Sequence, residues 1–269
     1  MIANALSIAG SDPSGGAGIQ ADLKAFAANG VYGMCAITAL TAQNTQGVSG
    51  VHLTPPQFVA DQIAAVLADV RVDAVKIGMI ATAEIAVAVA DALSSYEGPV
   101  VLDPVMVAKG GASLLAADAA AALGERLAPL ATIMTPNLPE AAALLDCPVA
   151  TTRAEMEAQG RSLLALGPKA VLMKGGHLSG DESPDALVTP AGVEWLPARR
   201  LATANTHGTG CTLSSSIAAG LAKGLSAGEA VAVAKTFVGG AIANADCLSV
   251  GSGHGPTHHF HALWGEAGR

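Results

Sequence analysis

The sequence predicts an α/β fold of three layers, with helices on both faces of a mainly parallel central sheet. Two observations predict it. Short β-branched runs alternate with longer Ala/Leu-rich stretches along most of the 269 residues. Polar residues also collect immediately after the predicted strands, where open α/β sheets gather their ligands. Strands separated by helices need crossover connections, and these place helices on both faces. With no linker, repeat or low-complexity tract in view, one domain over residues 1–269 is expected.

The elements follow in order. Ala5–Ala9 is an apolar run without a basic leader or cleavage site, so it reads as a first strand and not a signal peptide. A glycine-rich loop then leads into a helix over Ile19–Ala28. The strand Met34–Thr38 precedes the helix Pro56–Ala68, and Ala74–Ile77 precedes Ala83–Ser94. The strand Val100–Leu102 is followed by a helix over Ala116–Leu127, and Thr132–Met134 by helices over Leu138–Leu145 and Arg153–Leu166. Ala170–Met173 is the sixth strand. Between Ala186 and Leu201, short alternating segments around Pro190-Ala191-Gly192 predict an antiparallel excursion at the sheet edge. Helices over Thr212–Leu221 and Ala227–Asp246 complete the alternation.

Composition narrows the function. The chain is 51% hydrophobic and only 13% charged, yet no apolar run is long enough to span a bilayer. A net charge of −8 with no basic stripe excludes a general nucleic-acid binder. Cys35, Cys147, Cys211 and Cys247 lie far apart without a CxxC pair, so neither a zinc site nor a disulfide framework is expected. Reduced thiols in a cytoplasm are the default.

Thr206-His207-Gly208-Thr209-Gly210-Cys211 is the most informative segment. A glycine turn running into a helix offers unpaired amides and a positive dipole end, which suits a phosphate. The same field would stabilise a Cys211 thiolate. A loop packed tightly against a helix, with Cys211 as a small core residue, explains the segment equally well.

The first loop contains Gly16-x-Gly18-x-x-Ala21, formally a dinucleotide fingerprint. Its turn is too long, however, and no ribose-binding acid follows the second strand, which counts against an NAD oxidoreductase. No GxxxxGK[ST] sequence occurs, which excludes a P-loop. The strand ends supply Ser11 and Asp12; Thr41, Gln43 and Asn44; Asp103; Asn137 and Glu140; and Lys174 and His177. Asp103 and Glu140 could together hold Mg²⁺, directly or through waters, although an ion pair and a helix-start carboxylate would look the same. Lys174 could neutralise a nucleotide phosphate. His258-His259-Phe260-His261 resembles a metal tract, but without a nearby carboxylate or thiolate it reads as packing or solvated surface.

Taken together, the segments Ala9–Lys24, Thr41–Thr45, Lys76–Met79, Asp103–Lys109, Thr135–Ala141, Met173–His177, Thr206–Thr212 and Gly253–His261 resemble the hydroxymethylpyrimidine/phosphomethylpyrimidine kinases of thiamine biosynthesis, within the ribokinase-like superfamily. The resemblance covers nearly the whole chain and extends to the His-rich tail. It implies ATP-dependent phosphorylation of 4-amino-5-hydroxymethyl-2-methylpyrimidine to its monophosphate and then its diphosphate. ATP would be the co-substrate, with Mg²⁺, in a cytoplasmic homodimer that binds neither nucleic acid nor membrane.

By the same resemblance, Gln43 and Asp22 would bond the aminopyrimidine and its arm, with Gly10, Met79 and Val105 lining the pocket. Asn137 and Lys174 would contact ATP, while Asp103 and Glu140 would serve magnesium. Gly208, Thr209 and Gly210 would form an anion hole, with Cys211 where most of the superfamily places an aspartate base. A pyridoxal or pyridoxine kinase of the same superfamily is the alternative. A non-catalytic binding protein on this fold is disfavoured by Asp103, Lys174, the anion hole and Cys211 occurring together.

Overall fold

Alternation along the strands decides which residues reach the site. The computed structural model describes residues 1–106 and 119–264. The first strand, β1 (Asn4–Ala9), pairs in parallel with β2 (Tyr32–Ile37) on one side and with β5 (Ala74–Ile77) on the other. Parallel pairing continues through β6 (Val100–Leu102), β7 (Ile133–Met134) and β8 (Val171–Met173). Antiparallel β9 (Asp185–Thr189) and β10 (Gly192–Leu196) then finish the eight-stranded sheet, in the order β10-β9-β8-β7-β6-β5-β1-β2. This is the expected three-layer sheet, with its antiparallel excursion at the edge.

Side chains along a strand point alternately to opposite faces. Leu6, Ile8, Val75, Ile77 and Leu102 build the core on one face, under α2 (Pro56–Asp69), α3 (Ala83–Ala92), α5 (Leu138–Leu145) and α6 (Arg153–Leu164). Ala5, Ala74 and Val101 pack on the other face, against α1 (Gly18–Ala28), α7 (Thr209–Ala222) and α8 (Ala227–Ala243). Ser7, Lys76 and Asp103 continue that second register, so all three point toward α1 and α7.

Two local readings are corrected. Residues Ala39–Asn44 and Gly47–Leu53, to which the sequence reading assigns no element, form strands β3 and β4, a separate antiparallel hairpin. Its side chains are mixed and half-exposed, so it lacks the apolar run that marks the main strands. Helix α7 begins at Thr209 rather than Thr212, because Gly208 takes φ +76° and caps it. The residues expected as a loop before the helix are therefore its first turn. The helix expected over Ala116–Leu127 starts outside the described residues; from 119 a short α4 (Ala119–Ala122) passes into a π turn at Leu123–Leu127.

Candidate active site

A cleft of about 1140 Å³ opens at the carboxyl edge of the sheet. That exceeds the 300–1,000 Å³ or so of most single-ligand sites, so it has room for two reactants side by side. The hairpin and the loop after β1 form one end, and the loops after β7, β8 and β10 form the other. The first turn of α7 lies between them.

At the centre, a Cβ on Gly208 would lie 1.8 Å from the Gly16 carbonyl oxygen, so the cap must be glycine. The Thr209 amide is committed to the Thr206 carbonyl at 3.3 Å. The amides of Gly210 and Cys211, early in the helix, have no carbonyl one turn upstream within it. They are the candidate donors of a phosphate cradle, and Gly210 lies within reach of Lys174 and Asp103. Thr212 closes this turn by donating to the Gly208 carbonyl at 2.8 Å.

Cys211 opens onto the cleft but is walled in by protein. Burial pushes its thiol up to about 11, aided by Asp22 and Asp103 and against the pull of Lys76 and the Gly18 amide. The expected stabilisation of a thiolate by the helix field is thus outweighed by desolvation.

Beneath Cys211 lies a wholly buried ion pair. Lys76 Nζ donates to both Asp22 oxygens at 2.9 Å, and Ser7 and Ser215 donate to the same carboxylate at 2.6 and 2.7 Å. Lys76 lines the cleft, whereas Asp22 lies behind it with its oxygens taken. The contact between Asp22 and a ring expected from the sequence therefore has no open face here, and Asp22 acts on the site through Lys76. Burial disfavours the ammonium, but Asp22 together with Cys211 and Asp103 outweighs it and holds Lys76 well above the ordinary lysine range. A charge inside the otherwise buried Ala74-Val75-Lys76-Ile77 is the sequence signal that marks it.

At one end, Lys174 Nζ lies 2.9 Å from Asp103 and 3.7 Å from Glu140. Thr135 and Ser214 donate to Asp103 at 3.2 Å each, so both its oxygens are engaged. Desolvation opposes ionisation of Asp103, yet Lys174 and Lys76 keep its carboxyl below the usual range. Glu140 forms a capping box with Asn137: each accepts the other's backbone amide, at 2.8 and 2.9 Å. Desolvation raises Glu140 to about 7, with Asp103 adding to the rise and Lys174 opposing it. Two carboxylates lining the same cleft suit magnesium, which keeps waters and shares phosphate oxygens. Asp103 is hydrogen-bonded at both oxygens and fits that role through water. The Asn137 oxygen caps its helix, which leaves its NH₂ for a ligand. Lys235, paired with Asp185, also lines this end and has no counterpart in the sequence reading.

At the other end stand Gly10, Met79, Val105 and Gln43. A Cβ at Gly10 would meet Met79 Cε at 2.5 Å, so glycine there lets Met79 lie flat against the loop. Met79, Ala39 and Ala81 form a small apolar cluster against which Val105 packs. Ala81 takes φ +69°, a strained conformation for alanine that the sequence gives no sign of. His207, buried beside this wall, pairs with Asp12 at 2.7 Å. The His-rich tail packs onto α7: His258 and His259 are buried, and His259 lies 2.9 Å from Thr212.

Residues 12–258 match the family described as phosphomethylpyrimidine kinase. The chain belongs to this family. The hydroxymethylpyrimidine/phosphomethylpyrimidine kinase of Escherichia coli is 56% identical over 262 residues, spanning 97% of this chain and 98% of the relative. Among solved structures, an ADP complex of Bacillus subtilis pyridoxal kinase matches with a TM-score of 0.89 at 37% identity, covering 97% of this chain and 99% of that one. The phosphomethylpyrimidine kinase of Clostridium difficile matches at 0.78 and 44% identity, over 88% and 98%. The fold is ribokinase-like, and the family is one of phosphotransferases.

Proposed function

We propose that the protein transfers phosphoryl groups from ATP to the hydroxymethyl arm of 4-amino-5-hydroxymethyl-2-methylpyrimidine, and then to the resulting monophosphate. One observation carries the reading: the open amides of α7 stand between a cationic end, at Lys174, and a ring-sized apolar end, at Met79, Val105 and Gln43. Phosphoryl transfer asks the protein mainly for alignment and charge neutralisation. The Gly210 and Cys211 amides donate to the moving phosphoryl oxygens without reorganising. Lys174 neutralises the nucleotide side, and the free Asn137 NH₂ bonds ATP. Magnesium, held by Asp103 and Glu140 through water, would offset the remaining phosphate charge. Gln43 bonds the edge of the ring.

The site belongs to a cytoplasmic homodimer in this reading. The exposed Leu40, Val51 and Leu53 on the hairpin support association, which sedimentation would test. Among the described residues no helix is long and apolar enough to cross a membrane. A second reading, pyridoxal as the acceptor, is favoured by the likeness to the Bacillus subtilis enzyme. ATP consumption with hydroxymethylpyrimidine, its monophosphate, pyridoxal and hydroxyethylthiazole, compared side by side, separates the two. The first two acceptors should be turned over fastest, and preference for pyridoxal would transfer the assignment to the second reading.

A further inference from the structure

The hydrogen bonds around Gln43 do not close as a simple chain. Asp12 accepts from the Ser14 and Ala17 amides and faces His207, and it titrates at about 2: burial raises its carboxyl, but the His207 and Ser14 hydrogen bonds and the His207 charge outweigh this. An ionised carboxylate only accepts. His207 Nε2, 2.7 Å from Asp12 Oδ2, must therefore carry its hydrogen and aim it there. Gln43 Nε2, itself a donor, lies 3.4 Å from that same nitrogen. At the other end of the amide, Gln43 Oε1 lies 3.2 Å from Thr41 Oγ1. Thr41 has one hydroxyl hydrogen, directed at the Ser11 carbonyl 2.9 Å away. A donor thus faces a donor, and an acceptor faces an acceptor.

A half-turn of the terminal Gln43 torsion removes both conflicts. Nitrogen then donates to Thr41, and oxygen takes a secondary share of the His207 hydrogen. That torsion is soft and roughly two-fold, so its setting follows from the surrounding network.

We infer that Asp12, His207 and Thr41 fix the Gln43 carboxamide with its oxygen toward α7, and thereby select an acceptor ring carrying an amino group beside its hydroxymethyl arm. The local backbone is built for this. A bulge between Ala42 and Gln43 breaks the hairpin register and re-aims the side chain. Gly16 makes room for the His207 ring, whose Cδ2 would lie 2.4 Å from a Cβ there. His207 is also held from behind, its amide donating to the Gly255 carbonyl at 3.0 Å.

His207 immediately precedes the cradle, so the Gln43 oxygen is the end of the amide nearer the reacting arm. On the aminopyrimidine the amine is on the carbon next to that arm. It donates to Gln43 Oε1, and the adjoining ring nitrogen accepts from Nε2. Pyridoxal carries a carbonyl oxygen beside its hydroxymethyl arm, and that acceptor meets the Gln43 oxygen. His207 and Thr41 are positioning residues: they act on the ring through Gln43.

The inference rests on the pyrimidine reading of the site, and its test has a readout apart from turnover. kcat/KM for hydroxymethylpyrimidine and pyridoxal, and ring dissociation constants by calorimetry without ATP, are measured for wild type, His207→Phe and Thr41→Val. An acceptor left facing no donor weakens binding about tenfold or more. The preference for the pyrimidine over pyridoxal should fall by about that factor in His207→Phe and in the same direction in Thr41→Val. In a Gln43→Ala background, His207→Phe should leave the preference unchanged. Equal losses for both rings, with the ratio intact, would overturn the inference and make His207 a packing residue. If His207→Phe does not fold, Thr41→Val with Gln43→Ala decides. A wild type that binds the pyrimidine selectively without phosphorylating it would remove the proposed function and leave this inference standing.

Discussion

Cys211 is subject to opposing influences, and their balance sets its chemistry. Gly18 points an amide at its sulfur and Lys76 lends positive charge, yet burial holds the thiol near 11. At neutral pH it is protonated, so it can take a proton from an alcohol only in the small fraction of molecules that have already lost their own. A phosphate monoester needs no such base, because its second pKa is near 6 and it is largely ionised. Cys211→Ala should therefore slow phosphorylation of the hydroxymethyl group by up to about 10²–10⁴-fold and affect the monophosphate far less. The wild-type first step should also accelerate as pH rises from 7 to 10, with the thiolate fraction, while the variant stays flat. Single-turnover rates with each acceptor across that range check both expectations. Equal losses for the two acceptors would make the thiol an orienting group. At this scale the sequence was informative about which residues meet, but not about their ionisation. Cys211 beside a helix start is legible from Gly208-Thr209-Gly210-Cys211, whereas its burial beside α1, whose Gly18 amide faces the sulfur, comes from contacts distant in the chain.

The first turn of α7 separates two demands on glycine. At Gly208 the backbone takes φ +76° and an added Cβ would strike the Gly16 carbonyl. Gly208→Ala should cost about 2–5 kcal/mol, the left-handed penalty plus overpacking. Gly210 lies in ordinary helix, and a Cβ there would touch only Lys174 at 3.4 Å and Asp103 at 3.7 Å. Gly210→Ala should keep its melting temperature and still lose turnover, because the methyl occupies the space of the moving phosphoryl group. Melting curves beside rates for both variants would check this, and a stable, active Gly210→Ala would remove the cradle from the mechanism. The tail braces the same turn. Thr212 spends its hydrogen on the Gly208 carbonyl, so neutral His259 must donate to Thr212. Burial, with Lys24, His258 and His261 adding, lowers His259 from 6.5 to about 4. The sign follows: stability present above pH 6.5 is lost as pH falls through 4, by roughly 3 kcal/mol. His259→Gln should flatten the fall in melting temperature between pH 6.5 and 4, and an unchanged slope would place the acid sensitivity elsewhere. The packing role of the tail is legible in sequence from the absence of metal partners. Its target, Thr212, is not, since the two lie 47 residues apart. The β3–β4 hairpin is hidden for a related reason: with polar side chains on both faces and a bulge at Gln43, it has no apolar period to read.

Across the whole molecule, four elements meet on one buried charge pair. β1 contributes Ser7, α1 Asp22, β5 Lys76 and α7 Ser215, so the sheet, the first helix and the cradle helix are tied at a single point. Apolar packing on that face could join the same elements at lower desolvation cost, since buried pairs often add little net stability. What the pair adds is polarity with a direction: its cationic end lines the cleft and its anionic end is sealed behind. Removing one partner should expose that cost. Lys76→Met leaves a carboxylate in the core with only two hydroxyl donors, and Asp22→Asn leaves an ammonium there without its hydrogen-bonded counter-charge, with only the unbonded Asp103 to offset it. Each should destabilise by about 3–5 kcal/mol in urea unfolding. The double variant removes both charges and should lose clearly less than the sum, because the two changes share one interaction. Activity should not recover with stability, since the restored fold still lacks a positive charge beneath Cys211. Additive losses in the double variant would mean that Lys76 and Asp22 are held independently, and full activity in it would confine the pair to architecture.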